Sequence, residues 1–386
     1  ATGEEPARVA FEPEESEATA VERNSLLRHA APEEALSVVG YDAPVTAAAS
    51  YAFAEGAGAA SCASRASDLW YFAQGSTENE FAQRIILYNP FPEEASVRIT
   101  LYLENRTRAP SRLSDIPVPG SSHAVVNFVP NTSPSYGKVG AEVAASRGRI
   151  VAWRSMIVRG ENRPQGTEFS LGTSEPSTEW YFPTAVVDDT TFTNVRVLNP
   201  SEDEASVRVA LLTSNGRIEH PSLEDIVIPP TSAHPLDLER VLQREEIPEK
   251  FGVIVESSVP VVAERTIGST GVQPGRSSEI GATEAFTRWT LPPVAAGARD
   301  DTLTVMNPGN AGADVQVVLT RVDGAPLEPD RLQVRVARGR TIELALDTWQ
   351  GEAPFAAVVT SSAPVVVERS AQFEGDRSSA MGIPTG

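Results

Sequence analysis

Along this chain, apolar positions alternate with polar ones more often than they recur at helical spacing. Val97-Arg98-Ile99-Thr100-Leu101-Tyr102-Leu103 shows the alternation plainly, and Val315-Gln316-Val317-Val318-Leu319 shows it more loosely. A period of two turns one face of a strand to a core and leaves the other to water. Over residues 180–265 the pattern predicts seven strands: Trp180–Pro183, Phe192–Leu198, Ser206–Leu212, Ile226–Pro229, Ala233–Leu238, Gly252–Glu256 and Val259–Arg265. Asn199-Pro200, Asn215-Gly216, Pro229-Pro230 and Ser257-Ser258 supply the breaks between them. About seven short strands in roughly 100 residues predict an all-β fold of Ig-like antiparallel β-sandwiches. Leu236–Glu246 is the one segment of helical character, and it falls in a connection. Because helices do not separate the strands, parallel α/β folds are excluded.

The pattern is repeated. Leu69-Trp70-Tyr71-Phe72-Ala73, Trp180-Tyr181-Phe182-Pro183 and Trp289-Thr290-Leu291-Pro292 open three units, with their tryptophans 110 and 109 residues apart. An Asn-Pro pair follows each Trp by 18 or 19 residues, at Asn89, Asn199 and Asn307. Next come Glu94-Ala95-Ser96-Val97-Arg98, Glu204-Ala205-Ser206-Val207-Arg208 and, less alike, Ala313-Asp314-Val315-Gln316-Val317. The units close on Ile150-Val151-Ala152-Trp153-Arg154, Val261-Val262-Ala263-Glu264-Arg265 and Val365-Val366-Val367-Glu368-Arg369. Four landmarks in one order across three units mark duplication. Ser170-Leu171-Gly172, Glu279-Ile280-Gly281 and Ala380-Met381-Gly382 align after the closing runs. The joins Gly160–Thr178 and Gly268–Thr287, rich in turn residues, read as linkers that few contacts cross and that proteases reach first.

Residues before the first Trp carry part of another copy. Ala43-Pro44-Val45, followed by Ser50, Phe53, Glu55 and Gly56, matches Ala363-Pro364-Val365 followed by Ser370, Phe373, Glu374 and Gly375. Leu36–Val39 lies over Ala356–Val359, and Ala49 stands where the closing Arg would be. Residues 1–35 hold nine Glu against three Arg with few apolar anchors, which predicts a disordered or extended acidic tail. The start at Ala1 is what removal of a leader would leave, as would any other trimming. The expected division is a tail at 1–35, a partial repeat at 36–68, and β-sandwiches at 69–178, 179–287 and 288–386. The chain stops just short of where a fourth Trp would fall, and the units are expected to line up as a rod.

As a set, Trp70-Tyr71-Phe72-Ala73-Gln74-Gly75-Ser76-Thr77, Asn89-Pro90 and Val261-Val262-Ala263-Glu264-Arg265 resemble the tandem repeats of exported bacterial surface proteins. Those repeats begin with a Trp-Tyr-Phe-Ala-Glu-Gly-type motif and end in a Val-Ala-Glu-Arg-type motif. The pattern is also similar to a family of actinobacterial envelope proteins, membrane-anchored or secreted, known only as a domain of unknown function. In that family a Cys precedes the first aromatic motif, where Cys62 stands here. The resemblance covers roughly residues 36–386. The third unit departs at Thr290 and at Arg299-Asp300-Asp301. An exported β-sandwich protein is what the resemblance implies, with no activity attached.

Charge narrows the partners. The 386 residues carry a formal net charge of −20, which repels nucleic acid and anionic lipid at long range. No apolar run reaches the roughly 18–20 residues of a membrane-spanning helix. Four scattered histidines and one cysteine offer neither a His/Cys metal cluster nor an intrachain disulfide, and no cofactor is expected.

Each candidate for chemistry has a structural alternative. Trp70, Trp180 and Trp289 have faces suited to sugar rings, but recurrence in every unit favours core residues, each stacked on its own unit's Arg154, Arg265 or Arg369 as a cation–π pair. On that reading Arg265→Ala costs roughly 1–3 kcal/mol. Trp153 and Trp349 do not recur and are the better surface-binding candidates. Asp188-Asp189 and Asp300-Asp301, each before Thr in what read as matching loops, are weak candidates for Ca²⁺, which needs six to eight oxygens; solvated acidic turns are the simpler reading. His123 and His234 sit near corresponding positions and read as strand-edge residues. Cys62 follows a small-residue run without a basic-apolar leader before it, and reads as an incidental thiol or one that pairs between chains. No Gly-x-Ser-x-Gly, His-Glu-x-x-His or phosphate-loop motif occurs.

The expected role is therefore a non-enzymatic structural protein of the cell surface. Arg8-Val9-Ala10-Phe11 alternates like an edge strand, so Val9 and Phe11 are candidates for head-to-tail β-strand addition into a filament. A cell-wall carbohydrate-binding or adhesion array is the alternative, and a glycan-acting hydrolase a more distant one.

Overall fold

The alternating run at Val97 resolves into strand Ala95–Tyr102, with Val97, Ile99 and Leu101 fully buried and Arg98 exposed. The computed structural model that shows this describes residues 60–385 apart from 133–134, 161–163, 237, 239–246, 272–273, 295–297, 322–325 and 347–354. Before residue 60 it describes the backbone of strands Ala7–Glu12, Thr19–Val21, Leu36–Gly40, Ala48–Phe53 and Gly56–Ser61. The architecture is all-β and antiparallel. In the first unit, one sheet runs Ile116–Val118, Ala95–Tyr102, Gly140–Arg147, Leu69–Phe72. The other runs Ser122–Asn127, Phe81–Asn89, Val151–Val158, Gly166–Leu171. Their apolar faces share a core around Trp70, Phe72, Ile85, Leu87, Ile99 and Phe128.

Each repeated landmark has a bonding reason. The Asn89 amide donates to the carbonyls of Glu93 at 2.7 Å and Val118 at 3.2 Å, and its oxygen accepts from the Phe91 N–H at 3.0 Å. Asn199 and Asn307 repeat this closure on Asp203 and Ile228, and on Ala311 and Val336. The Trp70, Trp180 and Trp289 indoles donate to the first carbonyl of the closing run: Ile150 at 2.8 Å, Val261 at 2.9 Å and Val365 at 2.7 Å. A buried indole N–H needs such a partner.

The second unit departs from the expected seven strands. The Ser257-Ser258 break does not occur: Lys250–Ser269 is one strand of 20 residues that pairs with both sheets. Phe355–Gln372 does the same in the third unit, whereas Gly148, at φ +80°, divides the corresponding strand of the first. Arg217–Glu219 and Gly275–Ile280 are additional strands. The expected helix at Leu236–Glu246 lies mostly outside the described residues; Leu236 ends strand Ser232–Leu236, and Leu238 is buried.

The joins are not linkers. Gly166–Leu171 and Gly275–Ile280, inside the two turn-rich joins, are strands paired to the closing runs. With Arg377–Met381 and Gly56–Ser61 they form a four-membered bundle: Gly166–Leu171 lies against Gly275–Ile280, that against Arg377–Met381, that against Gly56–Ser61, and that against Gly166–Leu171 again. The four units therefore surround a common axis, which replaces the expected rod. Register identifies the equivalent positions. Ala49, Arg154, Arg265 and Arg369 face Ala60, Ser170, Glu279 and Ala380 respectively.

Units one and two meet their successors in the same way. Tyr71, Ala73 and Tyr102 enter the core of unit two, and Ala210, Leu212 and Ile254 enter that of unit three. The Ala233 N–H donates to the Leu103 carbonyl at 2.9 Å, and Thr341 repeats the bond to Thr213 at 3.2 Å. A Cβ at Gly140 would lie 2.6 Å from Leu198 Cδ1, and one at Gly252 2.4 Å from Met306 Cε, so any side chain there would have to displace the facing residue of the next unit.

Residues 1–35 contribute two strands where a tail was expected. Ala7–Glu12 pairs with Thr19–Val21 on one side and Leu36–Gly40 on the other, with Val9 opposite Val39 and Phe11 opposite Ser37. In the third unit Val317 lies opposite Val359, so this strand holds the place of Ala313–Arg321. Of the edge expected to be open, Val9 is paired on both sides within the chain and Phe11 on one.

Candidate functional site

The closing arginines are completely or almost completely buried, and the structure explains why the Glu before them recurs in only two units. The Arg154 guanidinium of unit one meets the Glu264 carboxylate of unit two at 2.6 Å and its own unit's Glu168 at 3.4 Å. It also donates to the Gln74 carbonyl at 2.6 Å, while the Gln74 N–H donates to Glu264 at 2.8 Å. One junction on, Arg265 of unit two meets Glu368 of unit three at 2.6 and 2.8 Å. Arg265 also donates to the Thr184 carbonyl, and the Thr184 N–H donates to Glu368 at 3.1 Å. Gln74 and Thr184 each follow their Trp by four residues. The Glu-Arg dipeptide thus works in both directions, Glu toward the preceding unit and Arg toward the following one.

The ends of this relay are modified. Unit one has Trp153 in place of Glu, and the N-terminal unit has Ala48-Ala49 in place of Glu-Arg. Arg369 of unit three is held by its own unit's Asp301, at 2.8 and 2.5 Å, and donates to the carbonyls of Pro292 and Phe355. By register Asp301 occupies the position of Gln83 and Thr193.

This geometry corrects the pairing of arginine with tryptophan. Arg154 and Arg265 lie over Phe72 and Phe182 at 5.9 and 6.0 Å, and Arg369 lies over Phe355 at 4.4 Å. Trp70, Trp180 and Trp289 are buried core residues bonded through their indoles. The two Asp pairs do not occupy matching loops. Asp301 is consumed by Arg369, and Asp300-Asp301 lie within strand Arg299–Asn307. Asp188 closes a turn on Thr190 and Thr191, and their hydrogen bonds outweigh its burial to lower its pKa; Asp189 is exposed. Among the described residues no three His, Cys, Asp or Glu side chains are grouped to hold a metal ion. His234 bonds the Glu104 carbonyl across a junction. Trp349 lies outside the described residues, and Trp153 packs half-buried on the first core.

Near the axis sits a second carboxylate device that sequence reading missed. Asp376 accepts backbone N–H bonds from three units: Thr167 at 3.0 Å, Arg276 at 3.0 Å and Arg377 at 2.8 Å. Its register equivalents are Gly166 and Gly275, where a Cβ would strike Asp376 itself or its neighbours. Burial pushes the Asp376 pKa up to about 7 against those three donors. Arg276 bridges to Glu168 beside it. Burial works against the charge of Arg154, yet Glu264 and Glu168 prevail and raise its pKa.

At one end of the axis, residues of all four units line a pocket of about 360 Å³, with Cys62 at its exposed rim and Glu279 in its wall. Burial raises the Cys62 pKa, which keeps it a thiol.

A profile for a family of unknown function, DUF5719, matches residues 12–288. The chain belongs to that family. The DUF5719 match begins at the last residue of strand Ala7–Glu12, takes in units one and two, and stops one residue before Trp289. No curated protein matches the chain. Among solved structures, the crystal structure of Thermotoga maritima 1070 is 20% identical, with a TM-score of 0.24, over 28% of this chain and 94% of that one. No helix among the described residues is long and apolar enough to cross a membrane.

Proposed function

We propose that this DUF5719 protein is a non-enzymatic scaffold of the bacterial cell surface, exported and held as a closed set of four β-units. The relay carries the reading: Arg154–Glu264 and Arg265–Glu368, which in another setting would be candidates for chemistry, lie fully buried between units. A buried pair of this kind adds little net stability, but strongly penalises the loss of either partner. It therefore suits a body whose units keep one arrangement. Because Ala7–Glu12 pairs with Leu36–Gly40 on one edge and, over Ala7–Val9, with Thr19–Val21 on the other, strand donation into a filament is not part of this reading. Solution scattering with light scattering tests it: a compact monomer supports the scaffold, and an extended chain of separate beads refutes it.

Trp153 favours a second reading, binding to cell-wall polysaccharide. It takes the relay position without a relay role and keeps part of its indole exposed. Sedimentation with purified cell wall, comparing wild type with Trp153→Ala, tests that role.

A further inference from the structure

The axial pocket is the feature that the scaffold leaves unused. Its volume of about 360 Å³ falls within the range of small-molecule sites. Cys62 of the N-terminal unit, Trp70 and Leu171 of unit one, Glu279 and Ile280 of unit two and Met381 of unit three all line it, so it exists only when the four units are closed.

Glu279 sets its chemistry. The same register position holds Ala60, Ser170 and Ala380 in the other units, so the fold itself needs no acid there. Glu168, Glu264 and Glu368 each have a buried arginine, whereas Glu279 has no ion-pair partner among the described residues. It keeps some exposure through the pocket, and the Met381 N–H is directed at its carboxyl. Burial first, then the nearby Glu368 and Glu264 charges, holds a proton on its carboxyl well above the ordinary range, despite Arg265. A cation that reaches this carboxyl through the pocket competes with that proton.

We propose that the axial pocket binds a small organic ammonium group carried on an apolar body, with Glu279 as its counter-ion. Glu175, the other carboxylate in the lining, is bound to Arg65, which leaves one carboxyl, too few ligands for a metal ion. With one donor already on the carboxyl, the bidentate fork of a guanidinium fits less well than the point charge of an amine. Trp70, Leu171, Ile280 and Met381 suit the apolar body, and the net charge of −20 draws a cation and repels an anion.

Calorimetric titration of the full chain with n-butylammonium, and with lysine blocked at both its α-amino and carboxyl groups, tests this. The expected result is saturable binding that is tighter at about pH 8.5 than at about pH 6, because the amine displaces the proton. Glu279→Gln should weaken it at least about tenfold at the higher pH with the melting curve preserved, and n-butanol should show no such dependence. Leu171→Trp, which fills the pocket and leaves the acid in place, should also abolish binding. Blocked lysine binding as well as butylammonium assigns the site to a peptide amine; butylammonium alone assigns it to a free amine. No saturable binding of either amine at roughly 10 mM, or equal affinity in Glu279→Gln, overturns the proposal. Failure here leaves the scaffold reading standing, because compactness is measured separately.

Discussion

The two relay junctions and the outer end of unit three are built from the same repeat, yet they treat a buried arginine in opposite ways. At the junctions, Arg154 and Arg265 depend on a carboxylate from the next unit, and Gly140 and Gly252 let that unit approach. In unit three, Arg369 is neutralised by Asp301 of its own unit, and Ala356 replaces the glycine. Between units two and three the change coincides with two differences, Asp301 in place of Thr193 and Ala356 in place of Gly252. The relay also skips the N-terminal unit consistently: Ala49 offers no arginine and Trp153 asks for none, while Ala48 offers no glutamate and Arg369 asks for none.

The largest effect is expected at a relay junction. Glu368→Ala leaves Arg265 buried without its partner and should destabilise the chain by about 3–5 kcal/mol in chemical denaturation. Arg265→Ala should cost as much, above the roughly 1–3 kcal/mol of a stacked pair, because Glu368 is then stranded. Replacing both with Leu and Met should cost far less than either single change. Equal costs for single and double variants would break the relay.

Asp301→Thr gives unit three the residue of unit two and strands Arg369, at about 2–4 kcal/mol, because the Pro292 and Phe355 carbonyls still hold the guanidinium. Hydrogen exchange should localise the loss to Arg299–Asn307 and leave Gly166–Leu171 protected. Loss of protection at both would show that unit three is not self-sufficient.

The axis should respond to pH. Asp376 has a folded pKa of about 7 against an ordinary 3.8, so the folded state binds the proton more tightly. Its stabilising contribution is complete below about pH 3.8 and is lost as pH rises through about 7, by roughly 2–4 kcal/mol. Stability measured between about pH 5 and pH 8 should fall more steeply in wild type than in Asp376→Asn. Identical slopes would remove Asp376 from the pH response.

The smallest effect is kinetic. Limited proteolysis of wild type should spare Gly275–Ile280, which is a strand of the axial bundle, and Glu368→Ala should make it cleavable. First cleavage there in wild type would restore the linker reading.

Much of the unit was legible in the sequence, because its determinants are local. Alternation over Val97–Leu103 reports burial on one face, Asn-Pro reports a turn that its own side chain closes, and recurrence of Trp and Arg reports a shared core. Strand continuity through Ser257-Ser258 was not legible, since two serines are compatible with a turn or an extended crossing between sheets. The candidate site was legible only in part. Arg154, Arg265 and Arg369 stood out by recurrence, but their partners lie about 70 to 110 residues away and no spacing rule links them. The signal that was there to read was the paired loss of Glu and Arg at Trp153 and Ala49, together with the recurring Gly140 and Gly252.

By itself the sequence determined the all-β class, the four landmarks that recur in each unit and the sign of the net charge, all of which follow from the residues of the chain taken in order. Tertiary structure alone decided that turn-rich joins become axial strands, that the units surround an axis, and which carboxylate serves which arginine. The physical reason is that burial cost attaches to a group's final surroundings. Glu264, Glu279, Glu368 and Asp376 are all carboxylic acids brought inside the molecule, yet two neutralise arginines, one is pushed by burial toward its protonated form beside a pocket and one gathers the N–H groups of three units. Recurrence before the closing Arg marks Glu264 and Glu368 but names no partner for them; the charges and donors brought to each group by the closed arrangement decide its fate.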